Sequence, residues 1–87
     1  MSRRQDWLRR ARADLAEIAR RDPVQAQRIL AAIDRYADQE RGDVQKLAGR
    51  AGSYRLRVGD WRVLFRIEDG ERVILISRVL NRRDAYR

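Results

Sequence analysis

The amino-acid sequence predicts an α+β domain in which an N-terminal α-helical hairpin packs on one face of a small antiparallel β-sheet. Apolar residues recur at helical spacing in the first half of the chain and alternate with other residues in the second half. Two turn signals, Gly59-Asp60 and Asp69-Gly70, separate three strand-like segments in that second half. At 87 residues, the chain is expected to form one domain, residues 1–87.

Two amphipathic helices account for the first half. One is predicted from Trp7 to about Arg20, and the other from about Val24 to Gln39. Asp22 is expected to cap the second helix, with Pro23 in its first turn. The apolar stripes are interpreted as core; they comprise Trp7, Leu8, Ala11, Leu15, Ile18, Ala26, Ile29, Leu30, Ile33, Tyr36 and Ala37.

The first two strand-like segments place arginines on one face of the sheet. In residues 54–58 the even positions are apolar, and in residues 61–67 the odd positions are apolar. Because successive side chains of a strand point to opposite faces, the polar positions of each segment lie together, away from the core. The arginines predicted on that face are Arg55, Arg57, Arg62 and Arg66.

The Gly59-Asp60 pair is typical of a two-residue hairpin loop. Such a loop places Arg57 directly across from Arg62 on the neighbouring strand. Like charges in directly opposed positions cost about 0.2 to 1 kcal/mol. We therefore expect the two arginines to bind an anion together.

The third strand-like segment, residues 73–76, is apolar at every position. A two-residue Asp69-Gly70 turn would place Ile74 and Ile76 on the core face. The apolar residues left on the arginine face would be Leu64, Val73 and Leu75. An exposed patch that is both apolar and basic indicates a partner site, unless the C-terminal residues fold back over it.

Charge and composition narrow the class of protein. The net charge is +8, and residues 44–87 carry eleven basic against five acidic residues. A GC-rich genome would explain arginine in place of lysine, but not this asymmetry. A polyanionic partner is favoured, with nucleic acid ahead of anionic lipid. The chain has no cysteine and no histidine, so disulfides, thiol nucleophiles, histidine acids or bases and the usual zinc sites are excluded.

No metal, cofactor or membrane association is expected. No apolar segment is long enough to span a membrane, and the N-terminus leads into no signal-peptide core. We therefore expect a cytoplasmic protein.

The later motifs carry a family resemblance. The helical hairpin is followed by Lys46-Leu47-Ala48-Gly49, by the segment 54–63, which reads YRLRVGDWRV, and by the segment 79–86, which reads VLNRRDAY. This order over residues 7–87 resembles the RelE/ParE superfamily of bacterial toxin–antitoxin toxins. The resemblance implies the RelE-like fold, often with a short additional N-terminal strand, which would have to come from the polar residues 2–8.

The resemblance implies two possible activities. RelE-like members cleave messenger RNA in the ribosomal A site, whereas ParE-like members poison DNA gyrase. We expect a metal-independent, ribosome-dependent endoribonuclease that inhibits translation and is held inactive by an acidic antitoxin. A ParE-like gyrase inhibitor, or a degenerate module that binds antitoxin without toxicity, is the alternative.

Site residues follow from the same resemblance and from phosphate chemistry. Guanidinium groups bind phosphate oxygens through two parallel hydrogen bonds. The candidate catalytic residues are Arg57, Arg62, Arg82 and Tyr86. The candidate RNA-binding residues are Lys46, Arg55, Arg66 and Arg83, and the candidate antitoxin-binding residues are Leu64, Val73 and Leu75.

Two departures from the family pattern concern proton transfer. Some relatives have lysines where this chain has Arg55 and Arg57, and arginine is a poor general base. Many relatives also have Gly-His where this chain has Leu80-Asn81. Proton removal would then fall to Tyr86 or to an rRNA-assisted route, and Arg82 would stabilise or protonate the leaving group.

Overall fold

The computed structural model describes residues 2–85. Two helices, α1 (Arg9–Arg21) and α2 (Pro23–Gln39), cover one face of a five-stranded sheet, and a short helix α3 (Arg82–Ala85) follows the last strand. The strands are β1 (Arg4–Trp7), β2 (Asp43–Lys46), β3 (Ser53–Val58), β4 (Trp61–Glu68) and β5 (Val73–Asn81). Their order in the sheet is β1-β5-β4-β3-β2, and all neighbours are antiparallel except β1 and β5. The predicted fold class is confirmed.

The helical hairpin forms close to the predicted boundaries. Asp22 accepts a hydrogen bond from the backbone N–H of Gln25 at 3.1 Å, and Pro23 occupies the first turn of α2. Among residues 2–85, no helix is long and apolar enough to cross a membrane.

The start of the chain differs from the prediction. Trp7 belongs to β1 rather than to the first helix, and Leu8 is 45% exposed rather than part of the core. Residues 4–7 pair in parallel with residues 73–76 of β5, which needs a partner on its second edge. That pairing gives a polar segment its extended backbone, so the strand implied by the family resemblance is present.

The core lies between the helices and the sheet. Ile29 and Ile33 of α2 are buried in the same cluster as Phe65 of β4, whose ring centroid lies 5.2 Å from that of Tyr36. The buried residues form one cluster: Ala11, Ile18, Ala26, Ile29, Ile33, Tyr36, Ala37, Leu56, Val63, Phe65, Ile74, Ile76 and Val79. The other sheet face has no helical cover within the described residues.

The connection between β4 and β5 is longer than predicted. Glu68 pairs with Val73, so residues 69–72 form a four-residue loop, and the expected two-residue Asp69-Gly70 turn is wrong. In this loop Asp69, Gly70 and Glu71 all have positive φ. The loop is two residues longer than predicted. Because successive side chains alternate between the two faces of a sheet, a shift by two residues leaves residues 74 and 76 on the predicted core face.

Further along the same pair of strands, the register shifts between Leu64 and Phe65. Leu64 pairs with Arg78 and Phe65 with Ile76, which leaves Ser77 as the extra residue of a β-bulge. The Ser77 hydroxyl donates a hydrogen bond to the Leu64 carbonyl at 3.0 Å. Past the bulge, Arg62 pairs with Leu80.

Candidate functional site

Register brings polar side chains into one row across the open face of the sheet. Arg57 of β3 pairs with Asp43 of β2 on one side and with Arg62 of β4 on the other, and Arg62 in turn pairs with Leu80. Residues paired across strands point to the same face. The predicted juxtaposition of Arg57 with Arg62 is therefore confirmed, and Asp43 joins it.

A third arginine, Arg82, lies close to this row at the start of α3, directly after β5. The backbone N–H of Arg82 donates to the Asp60 carbonyl at 2.7 Å, which ties the start of α3 to the turn between β3 and β4. The Asn81 side chain accepts from the backbone N–H of Arg83 at 3.2 Å. Asn81 therefore serves to orient the first turn of α3.

These elements enclose a small basic pocket of about 170 Å³. Its lining residues are Asp43, Gln45, Arg55, Arg57, Arg62 and Arg82. A pocket of this size, lined by guanidinium groups, is suited to a small anionic group such as a phosphate. We call it the arginine pocket.

Arg62 is the innermost of the four arginines. It is only 4% exposed, so the expectation that it lies on an open surface is wrong. Its Nη1 donates to the carbonyls of Gly59 at 3.3 Å and Trp61 at 3.1 Å, whereas its Nε is buried without a hydrogen-bond partner. A buried charged group with an unsatisfied donor is costly, so the Nε of Arg62 is a candidate group for binding a ligand.

The charges of the pocket are poorly neutralised within the protein. Among residues 2–83, whose side chains the structure describes, no carboxylate forms an ion pair with any of these four arginines. Arg55 Nη2 instead donates to the amide oxygen of Gln45. Four guanidinium groups face one lining carboxylate, that of Asp43, so the pocket is suited to an anion.

Other candidate residues lie outside the arginine pocket. Lys46 pairs with Tyr54, which places it at the end of β2 on the helix-covered face of the sheet. Arg66 lies on the open face, where its Nε is 3.5 Å from a carboxylate oxygen of Glu68. Arg83 is exposed beside Arg82, and Tyr86 lies outside the described residues.

The candidate antitoxin-binding residues are not equally accessible. Leu64 and Leu75 are half-buried and pair with Arg55 and Arg66, respectively, which places both on the open face. Val73 is only 5% exposed, so the expectation that it offers apolar surface is wrong. It is the first residue of β5 and pairs with Arg4 of β1 and with Glu68 of β4.

Asp43 and Gln45 are absent from the predicted site because β2 is not among the predicted strands. A signal was present, since Val44 alternates with polar residues on both sides and packs against the core.

A polar contact between α1 and β5 stabilises the last part of β5, which leads to Arg82. The Asp14 carboxylate of α1 accepts from Arg78 Nε at 2.8 Å and Nη2 at 3.2 Å, and from the Val79 backbone N–H at 2.9 Å. This contact lies beyond the end of β1, where the edge of β5 would otherwise be unpaired. Asp14 thus stabilises the strand that leads into the arginine pocket.

Comparisons with known proteins agree with this fold. The RelE–RelB complex of the archaeon Pyrococcus horikoshii OT3 is similar, with 26% identity, a TM-score of 0.75, and coverage of 94% of this chain and 97% of that chain. The toxin–antitoxin complex RelBE2 of Mycobacterium tuberculosis has 29% identity and a TM-score of 0.67, covering 94% and 100%. The YoeB/ParE toxin of Agrobacterium tumefaciens, at 17% identity, shares the fold with a TM-score of 0.78, covering 90% and 96%.

No curated protein sequence matches the chain significantly. A family model does match, over residues 6–86, and it describes the ParE toxin of the type II toxin–antitoxin system, parDE. The match includes all three helices, all but the first two residues of β1, and the strands that form the arginine pocket. The chain therefore belongs to the ParE toxin family of type II toxin–antitoxin systems, within the wider RelE/ParE superfamily.

Proposed function

We propose that this toxin is a ribosome-dependent mRNA endoribonuclease that inhibits translation. The observation that carries the proposal is the convergence of Arg55, Arg57, Arg62 and Arg82 on one pocket, with the Nε of buried Arg62 unpartnered. Donors that are already in place and desolvated stabilise developing negative charge far better than donors in water. A phosphodiester at its transition state is an anion that fits such a pocket.

The reaction needs no nucleophile from the protein. The 2′-oxygen of the RNA forms a bond to the adjacent phosphorus, the bond from phosphorus to the 5′-oxygen breaks, and a 2′,3′-cyclic phosphate and a 5′-hydroxyl result. The 2′-hydroxyl loses its proton and the 5′-oxygen gains one. Arg57 and Arg62 would bind the phosphate oxygens, and Arg82 would stabilise or protonate the leaving oxygen. Tyr86 would stack on a base or assist proton removal.

The partners of this activity are the ribosome with its mRNA and a cognate acidic antitoxin, all in the cytoplasm. The open face combines the arginine pocket with the half-buried Leu64 and Leu75. An antitoxin segment that carries apolar anchors next to Asp or Glu would complement both parts of this face. Two of the similar solved structures described above are toxin–antitoxin complexes, which supports an antitoxin partner.

A DNA gyrase inhibitor is the second candidate, and one observation favours it: the matching family model is that of the ParE toxin. In this case the arginines would contact a protein or DNA surface without chemistry.

Induced expression separates the two candidates. We expect protein synthesis to stop before DNA synthesis, and purified toxin to cleave mRNA on ribosomes. The Arg62→Ala protein should lose both effects, whereas Arg72→Ala, which alters an exposed arginine in the loop at the opposite end of the sheet, should retain them. Loss of DNA supercoiling with translation intact would assign the protein to the gyrase inhibitors.

A further inference from the structure

Asp43 is out of place in a pocket built for an anion. Its carboxylate lines the arginine pocket together with four guanidinium groups and the amide of Gln45. It lies directly across from Arg57 in the register of β2 and β3, yet it forms no ion pair with any described arginine. A carboxylate in this position repels a bound phosphate. A hydrogen bond donated by the ligand to the carboxylate would offset that repulsion.

The pocket's other acceptors are already engaged. Gln45 Oε1 accepts from Arg55, and the carbonyls of Gly59 and Trp61 accept from Arg62. An ionised carboxylate only accepts hydrogen bonds, so Asp43 offers the free acceptor among the lining side chains. A ligand that presents a hydrogen-bond donor close to its anionic group would use this acceptor.

RNA has such a donor and DNA does not. Phosphate oxygens of a diester only accept hydrogen bonds, whereas the 2′-hydroxyl next to the 3′-phosphate donates one. We propose that Asp43 makes the arginine pocket select ribonucleotides over deoxyribonucleotides, by accepting a hydrogen bond from the 2′-hydroxyl beside the bound phosphate. The inference rests on the proposed function, because both require a nucleotide phosphate in this pocket.

Two nucleotides without a scissile diester test this selection by binding alone. Adenosine 3′-monophosphate carries the phosphate and the neighbouring 2′-hydroxyl, and 2′-deoxyadenosine 3′-monophosphate lacks only that hydroxyl. Titrations of the intact protein followed by NMR would give both dissociation constants. We expect the ribonucleotide to bind about tenfold more tightly, the ratio typical of one hydrogen bond to a charged acceptor.

Substitutions of Asp43 separate its hydrogen bond from its charge. Asp43→Ala removes both, so the ribonucleotide preference should vanish while the deoxyribonucleotide binds more tightly than to the wild type. Asp43→Asn keeps an acceptor without the negative charge, so part of the preference should remain. Asp6→Ala is the matched control, because Asp6 is an exposed carboxylate of β1 outside the pocket and its loss changes the net charge equally.

The outcomes distinguish the inference from the proposed function. If the wild type binds both nucleotides equally, or if Asp43→Ala keeps the wild-type ratio, Asp43 does not select the sugar, although the pocket still binds phosphate. If neither nucleotide perturbs the resonances of the arginine pocket, the inference and the phosphate site on which the proposed function rests both fail. Because Asp43 is exposed on an edge strand, melting temperatures of the variants should match that of the wild type.

Discussion

Arg57 and Arg62 occupy directly opposed positions on β3 and β4, yet Arg57 is exposed and Arg62 is almost completely buried. The two guanidinium groups therefore have different physical roles. Arg57 remains solvated, and its charge is screened by water. Arg62 is desolvated, bound only to backbone carbonyls, and keeps one donor without a partner.

Replacement of Arg62 by methionine should separate stability from function. Methionine fills similar space without a charge, and apolar replacement of a buried charge is often neutral or stabilising by about 1 to 4 kcal/mol. We expect the free energy of unfolding to stay constant or rise, and ribosome-dependent cleavage to fall about a hundredfold or more. Urea denaturation and a cleavage assay on the same purified protein measure the two quantities. A destabilised protein with wild-type cleavage per folded molecule would make Arg62 structural.

Gly59 should be required for the geometry of the arginine pocket. Its φ is +59°, and a Cβ placed there would meet only Gln25 Nε2 at 3.9 Å, so the penalty for a side chain is one of backbone conformation. Gly59→Ala should cost about 1 to 2 kcal/mol of stability, measured by thermal unfolding, and Gly59→Asn less, because asparagine tolerates this conformation better. The same order is expected for activity, since the Gly59 carbonyl binds Arg62. Equal stability of both variants and the wild type would contradict this role.

Asp14 should contribute more to stability than an exposed carboxylate does. Its side chain is 18% exposed and accepts three hydrogen bonds, two of them from Arg78. Asp14→Ala should lower the free energy of unfolding by about 1 to 3 kcal/mol, because Arg78 loses one of its partners and the Val79 backbone N–H loses its acceptor. Asp6→Ala, which breaks an exposed pair with Arg4, should cost less than about 1 kcal/mol. Chemical denaturation of both variants checks the contrast, and similar losses would refute it.

Stability at alkaline pH should depend on Tyr36. Burial raises the pKa of the Tyr36 phenol above its ordinary value of 10.0. The folded protein therefore holds this proton to a higher pH than the unfolded chain does, and stability is lost as the pH rises from about 10 through the folded pKa. The free energy of unfolding of Tyr36→Phe should decline less steeply in that range than that of the wild type. If the free energy of unfolding fell equally steeply with pH in the two proteins, the pKa of Tyr36 would be the same in the folded and unfolded states.

Local sequence was sufficient to predict the environment of a residue where that environment depends on its neighbours along the chain. The spacing of Ile29 and Ile33 predicts a buried helix face, and the alternation around Arg55 and Arg57 predicts which face of the sheet they share. The opposition of Arg57 and Arg62 follows from a two-residue turn, because turn length determines register in a hairpin. The helical hairpin, the sheet and the basic face were therefore predictable, and so was the superfamily from motifs on these elements.

Tertiary structure decided what depends on partners far away in sequence. Residues 4–7 become a strand only because the second edge of β5 needs a partner, and the pairing of β2 with β3 brings Asp43 to the arginine pocket. Arg62 is buried in a pocket that is lined by residues of β2, β3 and α3 as well as its own strand. Periodicity in sequence assigns a side chain to a face, whereas its depth and its neighbours on that face depend on how distant segments pack.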